Sequence, residues 1–256
     1  MIIGTALFYF LFGIIVGSFL NVLIFRLPQQ KSIVFPRSSC PKCDNLIPWY
    51  FNIPVLGYLF LMGKCKYCSE KISVQYPIVE LATGIVSILL MPTVSSLQGL
   101  TNYAFYFSTF CVFICHFIID LKHKILPNVL NIYLGFLFFT YSFFYFPWSY
   151  WGMGFLLGGL FPLAVTGVFY LIKGQMGLGM GDIKLFAVLG IYLGPAGILH
   201  NIFLSCFLGA IVGILLILLN KMDKNNPIPF GPYIISVAVI QIFFTSSYKS
   251  FISLLF

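Results

Sequence analysis

The first 25 residues contain no charged side chain, and comparable stretches recur along the whole chain. Such a run has few ways to fold. About 20 apolar residues in helical form cross the roughly 30 Å hydrocarbon core of a bilayer. In lipid, every backbone N–H and C=O must find its partner inside the protein. With 60% hydrophobic residues against 8% charged and a mean hydropathy of +1.02, the chain reads as an all-α polytopic membrane protein. Eight apolar spans are expected, at 1–25, 78–94, 103–119, 129–146, 152–172, 185–199 (a short run broken by Gly194-Pro195), 202–219 and from 233 to the C-terminus. The first run begins without a basic segment and has no small-residue cleavage site after it, so it reads as a retained span and not a signal peptide.

The net charge of +8 does not indicate nucleic acid, because the bases form no single face and fall in short clusters between the apolar runs. Counting alternate loops, thirteen of the fourteen Lys and Arg residues lie on one side, Lys249 being the exception. Cytoplasmic loops carry such an excess. The asymmetry puts the 26–77 loop, Asp120, Asp182 and Lys221–Lys224 on the cytoplasmic side and both termini outside.

Residues 26–77 form the one long polar stretch and hold seven of the fourteen basic residues. Within it, Cys40-Pro41-Lys42-Cys43 and Cys65-Lys66-Tyr67-Cys68 are separated by 21 residues. Two CxxC pairs at this separation fit a four-thiolate zinc site. Two disulfides are the competing reading, disfavoured by the reducing cytoplasm. A redox pair is a third, disfavoured by the duplication and by the lack of a βαβ pattern. Four cysteines leave no open coordination position, so the zinc would be structural, and so short a loop needs the metal to fold. Cys111, Cys115 and Cys206 lie within spans and read as small buried apolar residues.

The acids are scarcer, six in all, so those at membrane boundaries stand out. Asp182 closes the glycine-dense Gly177-Leu178-Gly179-Met180-Gly181-Asp182 loop and runs into an apolar segment, with Lys184 close by. It reads either as a functional carboxylate or as a cap on the next helix. Asp120 ends the third span before Lys122 and Lys124, 62 residues earlier. His116 lies four residues before it on the same helix face, as a hydrogen-bonded helper or a packed side chain. Two carboxylates converging on one side cannot both ionise easily, so one keeps a proton. That arrangement can split an amide with water and no metal, and the pair would titrate jointly. Two rivals are a proton-coupled transporter, which would carry its acids nearer the midplane with an internal repeat, and a non-catalytic scaffold with a zinc-bearing loop. Glu80, just inside the second span, reads as the partner of a base or as part of a site. Ser18 and Asn21 share a face of the first span and read as helix-packing residues.

In this order and combination, the motifs resemble those of the bacterial type IV prepilin peptidases. They are Gly17-Ser18-Phe19-Leu20-Asn21-Val22 with Arg26-Leu27-Pro28, the two CxxC pairs around Asn52-Ile53-Pro54, and Tyr76-Pro77-Ile78-Val79-Glu80. Asp120 with Leu126-Pro127-Asn128, Gly179-Met180-Gly181-Asp182-Ile183-Lys184-Leu185 and Pro229-Phe230-Gly231-Pro232 follow. The resemblance covers nearly the whole chain. It implies a GxGD aspartyl protease with Asp120 and Asp182 catalytic, Gly179, Gly181 and Lys184 supporting them, and zinc on Cys40, Cys43, Cys65 and Cys68. It implies cleavage of the basic leader of prepilins or pseudopilins after glycine, at the cytoplasmic face of the bacterial inner membrane. N-methylation with S-adenosylmethionine would follow, in the region of Glu80 and Gly84. Partners would be the prepilins, the lipid bilayer and the pilus or secretion assembly machinery. The implied domains are a first helix at 1–25, a zinc-binding, methyltransferase-associated domain at 26–77, and a seven-helix peptidase domain at 78–256.

Overall fold

The computed structural model describes residues 2–93, 96–175, 177–219, 228–248 and 250. They are helical, with no strand among the described residues beyond two isolated antiparallel bridges. The helices are α1 (Ile2–Arg26), α2 (Leu56–Phe60), α3 (Gln75–Leu89), α4 (Leu97–His123), α5 (Asn128–Tyr145), α6 (Trp148–Lys173), α7 (Met180–Leu218) and α8 (Gly231–Phe243). Among the described residues, four segments are long and apolar enough to cross a membrane: Ile3–Gln29, Leu97–His123, Trp148–Lys173 and Met180–Leu218. The chain is therefore a multi-pass membrane protein. Two shorter apolar helices, Gln75–Leu89 and Gly231–Phe243, correspond to expected spans two and eight. Lys221–Lys224, Lys249 and the last six residues lie outside the described residues.

Proline and small polar residues set the helix starts. Pro127 and Pro147 occupy the N-cap positions of α5 and α6 in extended conformation, since the proline ring fits the entry to a helix but not its interior. The hydroxyl of Ser96 accepts from the Gly99 N–H at 3.0 Å, which starts α4 well before the expected Tyr103.

The chain divides into two compact units, Met1–Cys115 and His116–Phe256. In the first, α1 and α3 meet through small residues. A Cβ built on Gly13 would lie 2.6 Å from the Thr83 carbonyl oxygen and 2.8 Å from Gly84 Cα. One on Gly17 would lie 2.7 Å from Glu80 Cα. Small residues at four-residue spacing let membrane helices approach closely, where dispersion and not water exclusion supplies the attraction. The loop between α1 and α3 carries the cysteines.

In the second unit the same device joins α6 to the first part of α7, where the backbones touch at Gly154 with Gly190 and at Gly158 with Phe186. At 1.5 Å per residue, the 39 residues of α7 would measure about 58 Å if straight, nearly twice a bilayer core. Instead the helix breaks at Gly194 (φ 68°, ψ −177°), directly before Pro195. The break falls at the Gly194-Pro195 interruption of the expected sixth span, where glycine takes a backbone conformation closed to other residues and the Tyr150 ring fills the space beside it. Helix then continues through His200 and Asn201, past the expected end of that span at Leu199. His200 pairs with the Tyr248 hydroxyl at 2.8 Å.

Candidate active site and metal centre

Asp120 lies in the last turns of α4, which ends when Lys124 turns left-handed (φ 54°). Its carboxylate is 4% exposed, and Oδ2 accepts the backbone N–H of Gly231 at 2.9 Å. Gly231 is the first residue of α8, so the acid sits at a helix N-terminus, where free N–H groups favour negative charge. A Cβ on Gly231 would stand 2.8 Å from Asp120 Oδ2 and 3.1 Å from Leu126 Cδ2.

Asp182 belongs to the first turn of α7, for which Gly179 is the N-cap. Asp182 therefore stands at the third helical position, where a carboxylate faces the free N–H groups of the first turn. The capping reading is corrected: Gly179, not Asp182, occupies the N-cap. The glycines of the GxGD motif follow from this turn. A Cβ on Gly179 would lie 2.9 Å from Asp182 Oδ2, and one on Gly181 would lie 3.1 Å from Leu126 Cβ.

Leu126 therefore packs on both sides of the site, against Gly231 next to Asp120 and against Gly181 next to Asp182. The Asp182 carboxyl lies within the field of the Asp120 carboxyl. Lys184 does not pair with either acid. It donates to Asn128 Oδ1 at 2.9 Å, tying the start of α5 to the start of α7. Gly231 and Leu126 fall within the motifs that carry the family resemblance, but neither has a chemical group that marks it in a sequence.

The four cysteine sulfurs form the second candidate site, in the first unit. All lie within 4.8 Å of one another, with Cys40–Cys68 at 3.8 Å and Cys43–Cys65 at 4.0 Å. A tetrahedron with metal–sulfur bonds of 2.3 Å has edges of about 3.8 Å, whereas a disulfide needs roughly 2.05 Å. Two equivalent turns build the site. Asp44 donates to the Cys40 carbonyl at 2.9 Å and Ser69 to the Cys65 carbonyl at 3.0 Å. Both take left-handed backbone, φ 54° and 59°, and each turn is closed by a bridge, Ser39 with Leu46 and Lys64 with Lys71.

The thiols share protons unevenly. Backbone N–H groups of Cys68 and Tyr67 lower the Cys65 thiol from 9.0 to about 6. Cys68 is pushed up to about 12: the Glu70 N–H opposes the shift, but desolvation and the neighbouring sulfurs outweigh it. Four thiolates in one cluster need a cation, and zinc fits the donor set and its spacing.

Beside this cluster is a cleft of about 640 Å³ whose lining includes Ser18, Asn21, Phe51, Tyr58, Tyr76 and Glu80. Glu80 is 6% exposed. It accepts the Val55 N–H at 2.7 Å. Val55 has φ 62°, a conformation β-branched residues avoid, so the carboxylate pins an unfavourable turn after Pro54. Asn21 donates to the Tyr76 carbonyl at 3.0 Å. Gly84, named with Glu80 from sequence, faces Phe10 and Ile14 of α1 instead.

Known proteins share this framework. The family model described as the Bacterial Peptidase A24 N-terminal domain matches residues 11–94, and that of the Type IV leader peptidase family matches residues 106–214. Several relatives carry the name Prepilin leader peptidase/N-methyltransferase. That of Aeromonas salmonicida is 36% identical, covering 88% of this chain and 86% of its own length. That of Bacillus subtilis is 34% identical over 94% and 95%, and that of Stutzerimonas stutzeri 32% over 93% and 92%. No solved structure matches the chain. With both family models matched in order and identity above 30% over nearly the whole length, the chain belongs to the type IV leader peptidase family.

Proposed function

We propose that the chain is a bifunctional prepilin peptidase. It removes the basic leader of type IV prepilins or pseudopilins, then methylates the new N-terminus. The observation that carries the peptidase reading is the pair Asp120 and Asp182, both beside glycines that pack on Leu126, with Asp182 in the field of Asp120. The ionised member takes a proton from water as the oxygen attacks the glycine carbonyl carbon. The protonated member gives its proton to the carbonyl oxygen. Collapse of the tetrahedral intermediate breaks the C–N bond and protonates the leaving amine. Because the carboxyls act jointly, base and acid belong to the pair.

Eight crossing segments accommodate this reading if α7 counts as two on either side of Gly194. The basic residues then put both acids at the cytoplasmic face of the bacterial inner membrane. Cleavage there suits a substrate whose leader is basic and whose following helix is apolar, and the pilus or secretion machinery would take the product onward. Zinc on the four cysteines holds the 26–77 domain in shape.

The methyltransferase reading rests on the cleft beside the zinc cluster. S-adenosylmethionine would supply an electrophilic methyl group there. Glu80 offers a carboxylate to its sulfonium charge, and Phe51, Tyr58 and Tyr76 offer aromatic faces, which attract cations. Gly84 contributes by letting α1 and α3 close behind the cleft.

The test uses purified protein in nanodiscs, a prepilin, and mass spectrometry with and without S-adenosylmethionine. Wild type should lose the leader and gain one methyl mass. Asp120→Asn and Asp182→Asn should each abolish trimming while leaving methylation of a pre-trimmed pilin. Trimming by either variant would overturn the dyad, and an intact leader with wild type would favour a scaffold.

A further inference from the structure

Two deeply buried polar side chains lie next to Asp120 and have no part in the proposed chemistry. His116 is one turn earlier on the same face of α4 and is fully buried. Asn131, in the first turn of α5, is 3% exposed. The two face each other, yet no hydrogen bond of normal geometry joins them. Both ring nitrogens of His116 and both amide atoms of Asn131 lack a partner.

Polar atoms buried without partners are costly, and the second unit otherwise avoids them. Asn201 donates to Gln241 at 2.8 Å, and Gln241 donates to the Gly197 carbonyl at 2.9 Å. Among the described residues, the only other such atom is Asn21 Oδ1, in the first unit. Four of the five orphaned atoms therefore gather in one spot, a helical turn from the Asp120 carboxyl. Internal water occupies places where two to four polar groups converge. Side chains at i and i+4 have Cβ atoms about 5–6 Å apart, so the His116 ring and the Asp120 carboxyl are neighbours along α4.

We propose that His116 and Asn131 form a hydrated polar pocket beneath Asp120, and that His116 positions the Asp120 carboxyl through bound water. The proposal rests on the aspartyl-dyad reading and deepens it. The Gly231 N–H fixes one carboxylate oxygen, and the pocket supplies a second restraint. His116 is then a positioning residue and never touches the substrate.

The experiment measures leader removal by mass spectrometry in nanodiscs for wild type, D120N, His116→Leu, His116→Gln, Asn131→Leu and the His116→Leu/Asn131→Leu double variant. We expect His116→Leu to lower kcat between about 10- and 100-fold with KM little changed. His116→Gln, which keeps a hydrogen-bonding head, should restore most of it. The double variant should be no worse than the poorer single one, since both act through one pocket. Wild-type kcat in His116→Leu overturns the proposal, as does a loss that Gln leaves unrestored and that adds to that of Asn131→Leu. If His116→Leu does not fold, His116→Gln and Asn131→Leu decide: near-normal kcat for Gln with a tenfold loss for Leu supports the pocket, and any other pattern refutes it. Trimming by D120N, or none by wild type, would mean instead that the dyad reading has failed, and the proposal with it.

Discussion

The backbone N–H of Gly231 donates to Oδ2 of Asp120 at 2.9 Å, joining residues 111 positions apart. A methyl group at position 231 would lie 2.8 Å from that oxygen and 3.1 Å from Cγ, so Gly231→Ala must push the carboxyl aside. Displacement of a reacting group by about 1 Å costs on the order of 100-fold in rate. We expect Gly231→Ala to lower kcat for leader removal by about that factor, with methylation of a pre-trimmed pilin unchanged. Steady-state kinetics on both reactions check it.

Gly179 and Gly181 should separate by the kind of damage. At 179 the added methyl meets the end of the Asp182 side chain at 2.9 Å, which can swing away. At 181 it meets Leu126 Cβ at 3.1 Å, close to the backbone. Gly179→Ala should therefore lose trimming with an unchanged thermal midpoint. Gly181→Ala should lose trimming and also about 1–3 kcal/mol of stability, the usual cost of overpacking. Thermal unfolding in detergent, run beside the activity assay, distinguishes them.

These glycines show what a sequence can and cannot reveal. Asp120, Asp182 and the four cysteines were legible because charge in an apolar chain, and thiols in repeated CxxC pairs, are conspicuous. Gly231 and Leu126 were not, because their work is contact made across long sequence separations. The α7 break was legible in part: Gly194-Pro195 marks its place in the apolar run, but hydropathy does not register the backbone angle that glycine takes there. The pairing of Glu80 with the Val55 N–H was hidden for a related reason: a carboxylate's expected partner is a base, and here it is a backbone amide.

The cysteine cluster should hold one zinc per chain. Cobalt substitution should give the ligand-field bands of a tetrahedral four-sulfur site, and Cys43→Ser should lose them. The sign of the pH dependence follows from the thiols. Cys65, lowered to about 6, is already ionised at neutral pH, whereas Cys68, raised to about 12, must release its proton to bind. Metal binding therefore expels protons, and affinity falls as pH falls. Titration with a chromophoric chelator between pH 8 and pH 5 should show progressively easier zinc removal; a flat profile would contradict a thiolate site.

Glu80 should separate the two activities. Glu80→Ala removes the acceptor of the Val55 N–H and releases a turn held at φ 62°, reshaping the cleft. Methyl transfer should fall by at least about tenfold, equivalent to about 1.4 kcal/mol of transition-state stabilisation. Trimming should persist, since Asp120 and Asp182 belong to the other unit. Glu80→Gln keeps an acceptor for Val55 but loses the charge. It should hold the fold while weakening S-adenosylmethionine binding, measured by calorimetry. Equal loss of both reactions in Glu80→Ala would assign the residue to general stability instead.

Gly194 offers the most stringent test of the fold. Its φ of 68° with ψ of −177° falls in a region essentially reserved for glycine, where strain for other residues is of order 1–3 kcal/mol. A Cβ there would also run into the ring of Tyr150, whose hydroxyl donates to the Leu193 carbonyl at 2.8 Å. Relief on one side worsens the other: moving the ring breaks its bond to a carbonyl that α7 leaves free at the break. Gly194→Ala should therefore reduce the yield of folded protein sharply. Tyr150→Phe, which loses only the hydrogen bond, should cost about 0.5–1.5 kcal/mol. Pairing Gly194→Ala with Tyr150→Ala removes the ring and should recover part of the yield, but not all, because the backbone strain remains. Full recovery would mean that the clash alone, and not the dihedral, makes glycine necessary at the break.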